Sequence, residues 1–488
     1  MMRVLSTYTG NADDAICYIK EAFFHSSDVK VRPVPFNGKP SCIVFLASAA
    51  NRELIQLNVI KPLLVSPAGK VEDVAAVTGI LKTEDLDEAV RYMAEGHCVF
   101  LTAGEKKMTL LNVYKPLPDS ARAPNNEQVV RGSHQSFSEN LMKNIQMLRE
   151  RVRHPSLTVK VRKIGRTSQS NIAVVYAGKI ANPAIVKEVE RRLDCIQADS
   201  LHFPGNLEEY LEDYPFSPFP QILNTERPDR AAANLMDGRV AIVMEGSPTV
   251  LVLPVPFFSF FQSSEDYNQR TLLGSFFRLL RFLSFLIALG LPALYIALVS
   301  FNYEAIPVDL IFSIKNSLEF VPFQPLLEAI IMQVTLELLR EASIRLPSPI
   351  AQTIGVVGGL VIGTAVVEAH LVSNTMIIVV AITAISSFVI PSNEMSSTIR
   401  ILGFPIMLMS AMFGFFGIVI SMMLILIHLV KLTPLGSPYL YPLAPFSARF
   451  FKDTLLRAPV WMMNSRPDDT RPVYSWRESR SRGWKKNE

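Results

Sequence analysis

The sequence predicts an α/β N-terminal soluble region of two subdomains followed by an α-helical multi-span membrane domain. The first observation behind this is a division of hydropathy. About 270 residues of mixed strand-like and helix-like character precede four long apolar stretches, Phe282–Phe301, Thr353–Leu371, Thr375–Ile390 and Phe404–Val430. The second is that these stretches hold a single acid, Glu368. A hydrocarbon core of ~30 Å needs about 20 apolar helical residues, and backbone in lipid must satisfy its own hydrogen bonds, so the four read as spanning helices. The third is the tail, residues 431–488, with eleven Lys/Arg against five acids. A basic segment beside a membrane helix favours the cytoplasmic side.

Taken in order, residues 1–114 form a first α/β subdomain. Val29–Pro35 and Cys42–Ala47 are strands joined through Asn37-Gly38, and Ala50–Val59 and Glu84–Met93 are helices, the second opening at a Thr83 cap. Cys98–Thr102 and Met108–Val113 pair as a hairpin. Residues 115–136, rich in Pro, Asn and Ser, are the linker. The second subdomain, 137–270, opens with a helix over Phe137–Arg153. Strands at Leu157–Val161 and Asn171–Tyr176 follow, then a helix at Pro183–Leu193 and a hairpin of Val240–Met244 with Thr249–Val252. No internal repeat is expected. Residues 271–430 are the membrane domain, with spans near 282–301, 353–371, 375–390 and 404–430.

Lys+Arg 48 against Asp+Glu 44 leaves a net charge of +4, which gives no case for nucleic acid as a partner. Cys17, Cys42, Cys98 and Cys195 are scattered without a CxxC pair, so no disulfide framework or metal site is expected and a reducing compartment suits them. The start lacks an apolar signal-peptide core. The soluble region is then expected to stay inside, anchored by the first span, and both ends inside require an even number of spans, which four supplies.

Phosphate loops and dinucleotide fingerprints are absent, and the seven histidines form no HExxH or Cys/His cluster. His134, beside Ser133 and Ser136, lacks the rest of a triad. No cofactor and no enzymatic activity are expected. The Gly-rich run Gly355, Gly358, Gly359 and Gly363 lies in a span and reads as a helix-packing surface.

The informative polar feature is 325–345, PLLEAIIMQVTLELLREASIR. Leu327, Ile331, Val334 and Leu338 form one stripe, while Gln333, Glu337 and Glu341 lie on another face with Arg340 beside them. Glu337 is expected to pair with Arg340, and Glu341 with Arg345. Two readings stay open: a helix at the membrane surface with a solvated charged face, or a helix whose polar face, Glu328 included, lines a cavity or pore. The span count favours a re-entrant or in-plane placement.

Longer segments carry a resemblance. They include FSENLMKNIQMLRERVRHPSL (137–157), PFPQILNTERPDRAAANLMDGRVAIVMEGSP (218–248), SSEDYNQR (263–270), LLREASIRLPSPI (338–350), VIPSNEMSSTIR (389–400) and LGSPYLYPLAPFSARFFKDTLLRAPVWMMNSRP (435–467). The chain resembles the A subunits of GerA-type nutrient germinant receptors of endospore-forming bacteria. The motif residues are Thr225, Glu226, Arg227, Pro228 and Asp229, then Asp237, Gly238 and Arg239, then Glu265, Asp266 and Tyr267. The resemblance implies a spore inner-membrane protein with a transporter-like B subunit and a lipoprotein C subunit as partners. It also implies a homo-oligomeric ring in lipid, with a pentamer as the candidate size, that conducts cations when nutrient is sensed. Gln333 departs from the family, whose helix often has an acid there, and this shifts a cation role toward Glu337 and Glu341. A non-conducting scaffold, a solute transporter, and the paralogue associated with dipicolinate release are the alternatives.

Overall fold

The computed structural model describes residues 7–66, 69–114, 116, 123–347, 350, 359, 363–366 and 368–478. Residues 7–114 build a five-stranded sheet from β1 (Val29–Pro33), β2 (Ser41–Leu46), β3 (Ile80–Thr83), β4 (His97–Thr102) and β5 (Met108–Asn112), in the order β1-β2-β4-β5-β3. Residues 137–253 build a second from β6 (Leu157–Ile164), β7 (Ser170–Ala177), β8 (Leu223–Thr225), β9 (Val240–Met244) and β10 (Val250–Leu253), in the order β6-β7-β9-β10-β8. Every neighbouring pair in both sheets is antiparallel. Their central strands, such as SCIVFL and VAIVM, are buried throughout, as β-branched runs covered on both faces should be.

The two sheets have one topology. Each unit runs helix, two strands, two helical segments, one strand, a helix and a hairpin. The expectation of no repeat is therefore overturned, and the signal lies in two segments: TEDLDEAVRYMAEGHCVF (83–100) and TERPDRAAANLMDGRVAI (225–242). Both begin with a threonine whose hydroxyl accepts the N–H two residues on, Asp85 at 3.0 Å and Arg227 at 3.1 Å. Both turn at a glycine in the left-handed region, Gly96 (φ 101) and Gly238 (φ 92), where a side chain would be strained.

Boundaries shift in explicable ways. Asp85, not Thr83, caps the helix Leu86–Ala94, while Asn140 caps Leu141–Arg151 and trims the expected start at 137. The units meet at Asp28, which accepts from Ser26, Ser48 and the buried Arg149 (2.8 Å). Part of the expected linker is a strap: the Glu226 carboxylate accepts the Asn125 N–H at 2.7 Å, and Glu127 pairs with Arg230.

After the second sheet come the helices Thr271–Ser300, Val308–Leu318, Pro325–Arg345, Asn374–Phe388, Asn393–Phe413 and Phe415–Lys431. Thr271–Ser300 and Asn393–Phe413 are long and apolar enough to cross a membrane, and Asn374–Phe388 and Phe415–Lys431 are shorter apolar helices. The stretch 404–430, read as one span, is two helices that reverse at Gly414 (φ 57). Their outer ends both return to the second unit: Thr398 donates to Pro218 O at 2.5 Å and Ser217 meets His428 at 2.8 Å. At the far end, Ser410 donates to Ala293 O at 2.6 Å and Tyr295 meets Ser373 at 3.2 Å. One apolar core runs from Leu141 through Val243 and Phe257 to Phe285 and Leu429, joining the second sheet to these helices. The span expected at 353–371, with Gly355 and Gly358, lies mostly outside the described residues.

Candidate functional site

Helix Pro325–Arg345 runs antiparallel to Thr271–Ser300. Glu328 lies at the far end, where its Oε2 accepts the Ser373 N–H at 2.8 Å. Further along, Arg340 stacks on Phe388 at 5.2 Å and Glu337 pairs with Arg400 at 3.0 Å, toward the soluble units. The apolar stripe Leu327, Ile331, Val334 and Leu338 faces outward, each residue 40–66 % exposed, while Glu328 and Gln333 are buried. That is the reverse of a helix burying its apolar face from water, so a fully solvated charged face does not describe this helix.

Glu328 Oε1 and Gln333 Oε1 have no hydrogen-bond partner among the described residues. Burying such atoms is costly, so they mark a polar seam inside the bundle. The expected Glu337–Arg340 pair is replaced by Glu337–Arg400, because the packed helix Asn393–Phe413 brings a second arginine closer. Glu341 pairs with Arg345 at 2.5 Å as the spacing implied. A Cβ at Gly359 or Gly363 would meet nothing within 4 Å, so those two glycines pack no described part of their own chain.

The motif residues gather elsewhere, where the second unit, the first long helix and the tail meet. Arg227 is buried and donates to Ser133 O (2.9 Å), Glu127 O (3.1 Å) and Asp229 (2.8 and 3.1 Å), following Pro228's entry into its helix. Asp237 accepts from Arg477, and Arg239 pairs with Asp469 at 3.3 Å. Asp266, buried, accepts from Arg281 at 2.7 and 2.8 Å and from Arg278 at 3.4 Å. Tyr267 donates to Asp453 at 2.9 Å, Arg278 reaches the same carboxylate at 3.0 Å, and Glu265 accepts from Gln269. Paired, buried charges of this kind hold parts together at a large penalty for removing one partner.

Sequence reasoning missed the tail's share in this junction: Asp453, Arg457, Arg466, Asp469 and Arg477. Their signal was visible as acids and arginines alternating through an otherwise Pro- and aromatic-rich tail, but no spacing rule pairs residues 175–240 positions apart. Among the described residues no three metal-ligating side chains cluster.

Two α/β units, the second tied by buried ion pairs to a bundle of apolar helices of which two are long enough to cross a membrane, give the class of this protein. The comparisons specify which. A family model described as Bacillus/Clostridium GerA spore germination protein matches residues 17–469, and the chain belongs to this GerA family. It is 41 % identical over 377 residues to spore germination protein A1 of Bacillus subtilis, covering 77 % of this chain and 78 % of that one. It is 34 % identical to spore germination protein KA of the same organism, over 93 % and 85 % of the two chains. A B. subtilis protein described as uncharacterized membrane protein YfkQ is 36 % identical over 90 % of this chain and 88 % of its own. Among solved structures, the N-terminal domain of the A subunit of the Bacillus megaterium spore germinant receptor GerK3 superposes with a TM-score of 0.41 at 26 % identity, over 52 % of this chain and 99 % of that one.

Proposed function

We propose that this chain is the A subunit of a nutrient germinant receptor in the spore inner membrane, working with transporter-like B and lipoprotein C subunits. Copies of it oligomerise, and the assembled helices form a cation path that opens when a partner senses nutrient. Helix Pro325–Arg345 crosses the bilayer. The observation carrying this is that its apolar stripe Leu327, Ile331, Val334 and Leu338 faces outward, while Glu328 and Gln333 are buried with Ala329 and Met332 along the depth of the apolar bundle. Arg345 and Asn374 then lie toward opposite ends of the bundle, and the 353–371 stretch is a further span between them. The crossings are six, still an even number, and the tail returns to the soluble units.

Within one chain Glu328 and Gln333 are sealed, so they support the helix and do not face an open path. Glu337 and Glu341, with side chains 49 % and 58 % exposed, lie where neighbouring copies meet. Rings of carboxylates favour cations. Gly355, Gly358, Gly359 and Gly363 are the surface offered to the next copy. Gating is a population shift: nutrient-bound partner favours the open arrangement.

Glu337's pairing with Arg400 favours one alternative, a signalling subunit that conducts nothing, since the pair cancels the charge a cation would feel. Cation flux from liposomes holding the full chain with and without its partners separates the two. Glu337→Gln/Glu341→Gln is expected to lower flux about fivefold or more, ~1 kcal/mol of lost attraction. Unchanged flux removes these acids from the path. No flux from folded oligomer with its partners supports the signalling reading.

A further inference from the structure

A cavity of about 660 Å³ opens between the second unit, the segment 256–268 that leads into helix Thr271–Ser300, and the tail. This is ample for a small ligand. Motif residues Asp229, Asp237, Arg239 and Tyr267 line it together with the tail's Asp453 and Asp469.

Its charges do not cancel. Each lining carboxylate has a cation: Asp229 has Arg227, Asp237 has Arg477, Asp453 has Arg278 and Asp469 has Arg239. Arg230 is matched by Glu127. Arg449 and Lys452 also line the cavity, are exposed, and make no ion pair among the described residues. The Arg449 guanidinium lies over Phe450 and Trp476, at 5.6 and 5.8 Å, which fixes it without neutralising it. The cavity therefore presents two unspent positive charges.

Deeper in, two atoms want partners of opposite kinds. Arg239 and Asp469 are 5 % and 6 % exposed, and Arg239 Nε, a donor, and Asp469 Oδ1, an acceptor, make no hydrogen bond among the described residues. Such buried atoms are normally satisfied. A hydroxyl can serve both, donating to the carboxylate and accepting from the guanidinium.

We infer that this cavity binds a hydroxyl-bearing phosphate ester, the chemistry of a glycerol phosphate group. The phosphate meets Arg449 and Lys452, and the hydroxylated arm meets Arg239 and Asp469. Two sources share this chemistry, an anionic phosphoglycerol lipid headgroup and a free sugar or polyol phosphate. Phe446, Val460, Trp461 and Met462, apolar and exposed, flank in sequence the tail residues Asp453 and Arg457, which bond to Arg278 and Ser275 near the start of the first long helix, a setting that gives a lipid access. The inference is independent of whether the protein conducts ions.

The test is native mass spectrometry of the full chain in detergent, titrated separately with phosphatidylglycerol, phosphatidylcholine and glycerol 3-phosphate. Phosphatidylglycerol is expected to be retained in preference to phosphatidylcholine. Arg449→Ala/Lys452→Ala, at two exposed positions, is expected to weaken it about 30-fold, at ~1 kcal/mol per cation. Glycerol 3-phosphate binding as tightly as the lipid, with the same loss in the variant, supports the free ester as the source. Much weaker binding of it than of the lipid supports the headgroup. Equal retention of the two lipids with no glycerol 3-phosphate binding, or full retention by the double variant, overturns the proposal.

Discussion

Glu208 sits on the helix Pro204–Leu211, close to Glu212 and to Glu394 at the start of helix Asn393–Phe413, and its Oε1 has no partner among the described residues. Burial, reinforced by these like charges, pushes its carboxyl from the ordinary 4.5 up to about 8. Folding then takes up a proton between those values. The stability of this seam is complete below pH 4.5 and falls as pH rises toward 8. Glu208→Gln is expected to flatten the pH dependence of the full chain's melting temperature across that window and to raise it at pH 8; an unchanged profile would place Glu208 in water. None of this was legible in the residue itself, because its shift depends first on burial in the folded chain and then on Glu394, 186 positions away. Arg227 gives the complementary case. Its importance was legible from the family motif, but its work as a clamp on residues 127 and 133 emerged only once Asp229 and the strap were placed around it.

Periodicity served well for elements that alternate or repeat cleanly. The hairpin of residues 97–102 with 108–112 and the pairing of β9 with β10 were legible because turn residues punctuate apolar runs. Hydropathy failed inside 404–430, since an apolar window has no direction and two glycines barely dent it. Gly414 reverses the chain, and Gly417 lets the returning helix touch the outgoing one: a Cβ there would lie 2.0 Å from Met409 O. Backbone cannot yield as a flexible side chain does. Gly417→Ala is expected to pry the hairpin apart at a cost of ~1–3 kcal/mol, read as a lower melting temperature with protease sensitivity between the two helices. A variant as stable as the parent would mean the helices do not approach there.

The repeat and the junction belong to the molecule as a whole. In the first unit Gly96 packs against Tyr114, the residue that follows its own hairpin; in the second, the equivalent Gly238 packs against Pro472 and Thr470 of the tail. The tail thus covers in the second unit a surface that the first unit covers with its own chain. Asp266 ties the same unit to the first long helix through Arg278 and Arg281. Asp266→Asn should cost ~3 kcal/mol by leaving the largely buried Arg281 without a carboxylate, while Arg278 keeps Asp453. Hydrogen exchange is expected to rise in residues 263–281 while the first unit stays protected. Equal protection at both would show that the apolar core alone couples unit to bundle.

The sequence alone determined the class, two α/β subdomains before apolar helices, because burial and membrane insertion are set by local composition over 5 to 20 residues. It also held the repeat, in the paired TE…G segments, though five identities in eighteen residues are easily lost among a hundred dissimilar ones. Only the tertiary structure decided which face of helix Pro325–Arg345 turns inward, that Glu337 meets Arg400, and that the tail's Asp453 and Asp469 complete a charged cavity with the motif arginines. The physical reason is that an ion pair or a shared cavity depends on distance in space. Chain separations of 63 to 230 residues leave no periodic trace from which that distance can be read.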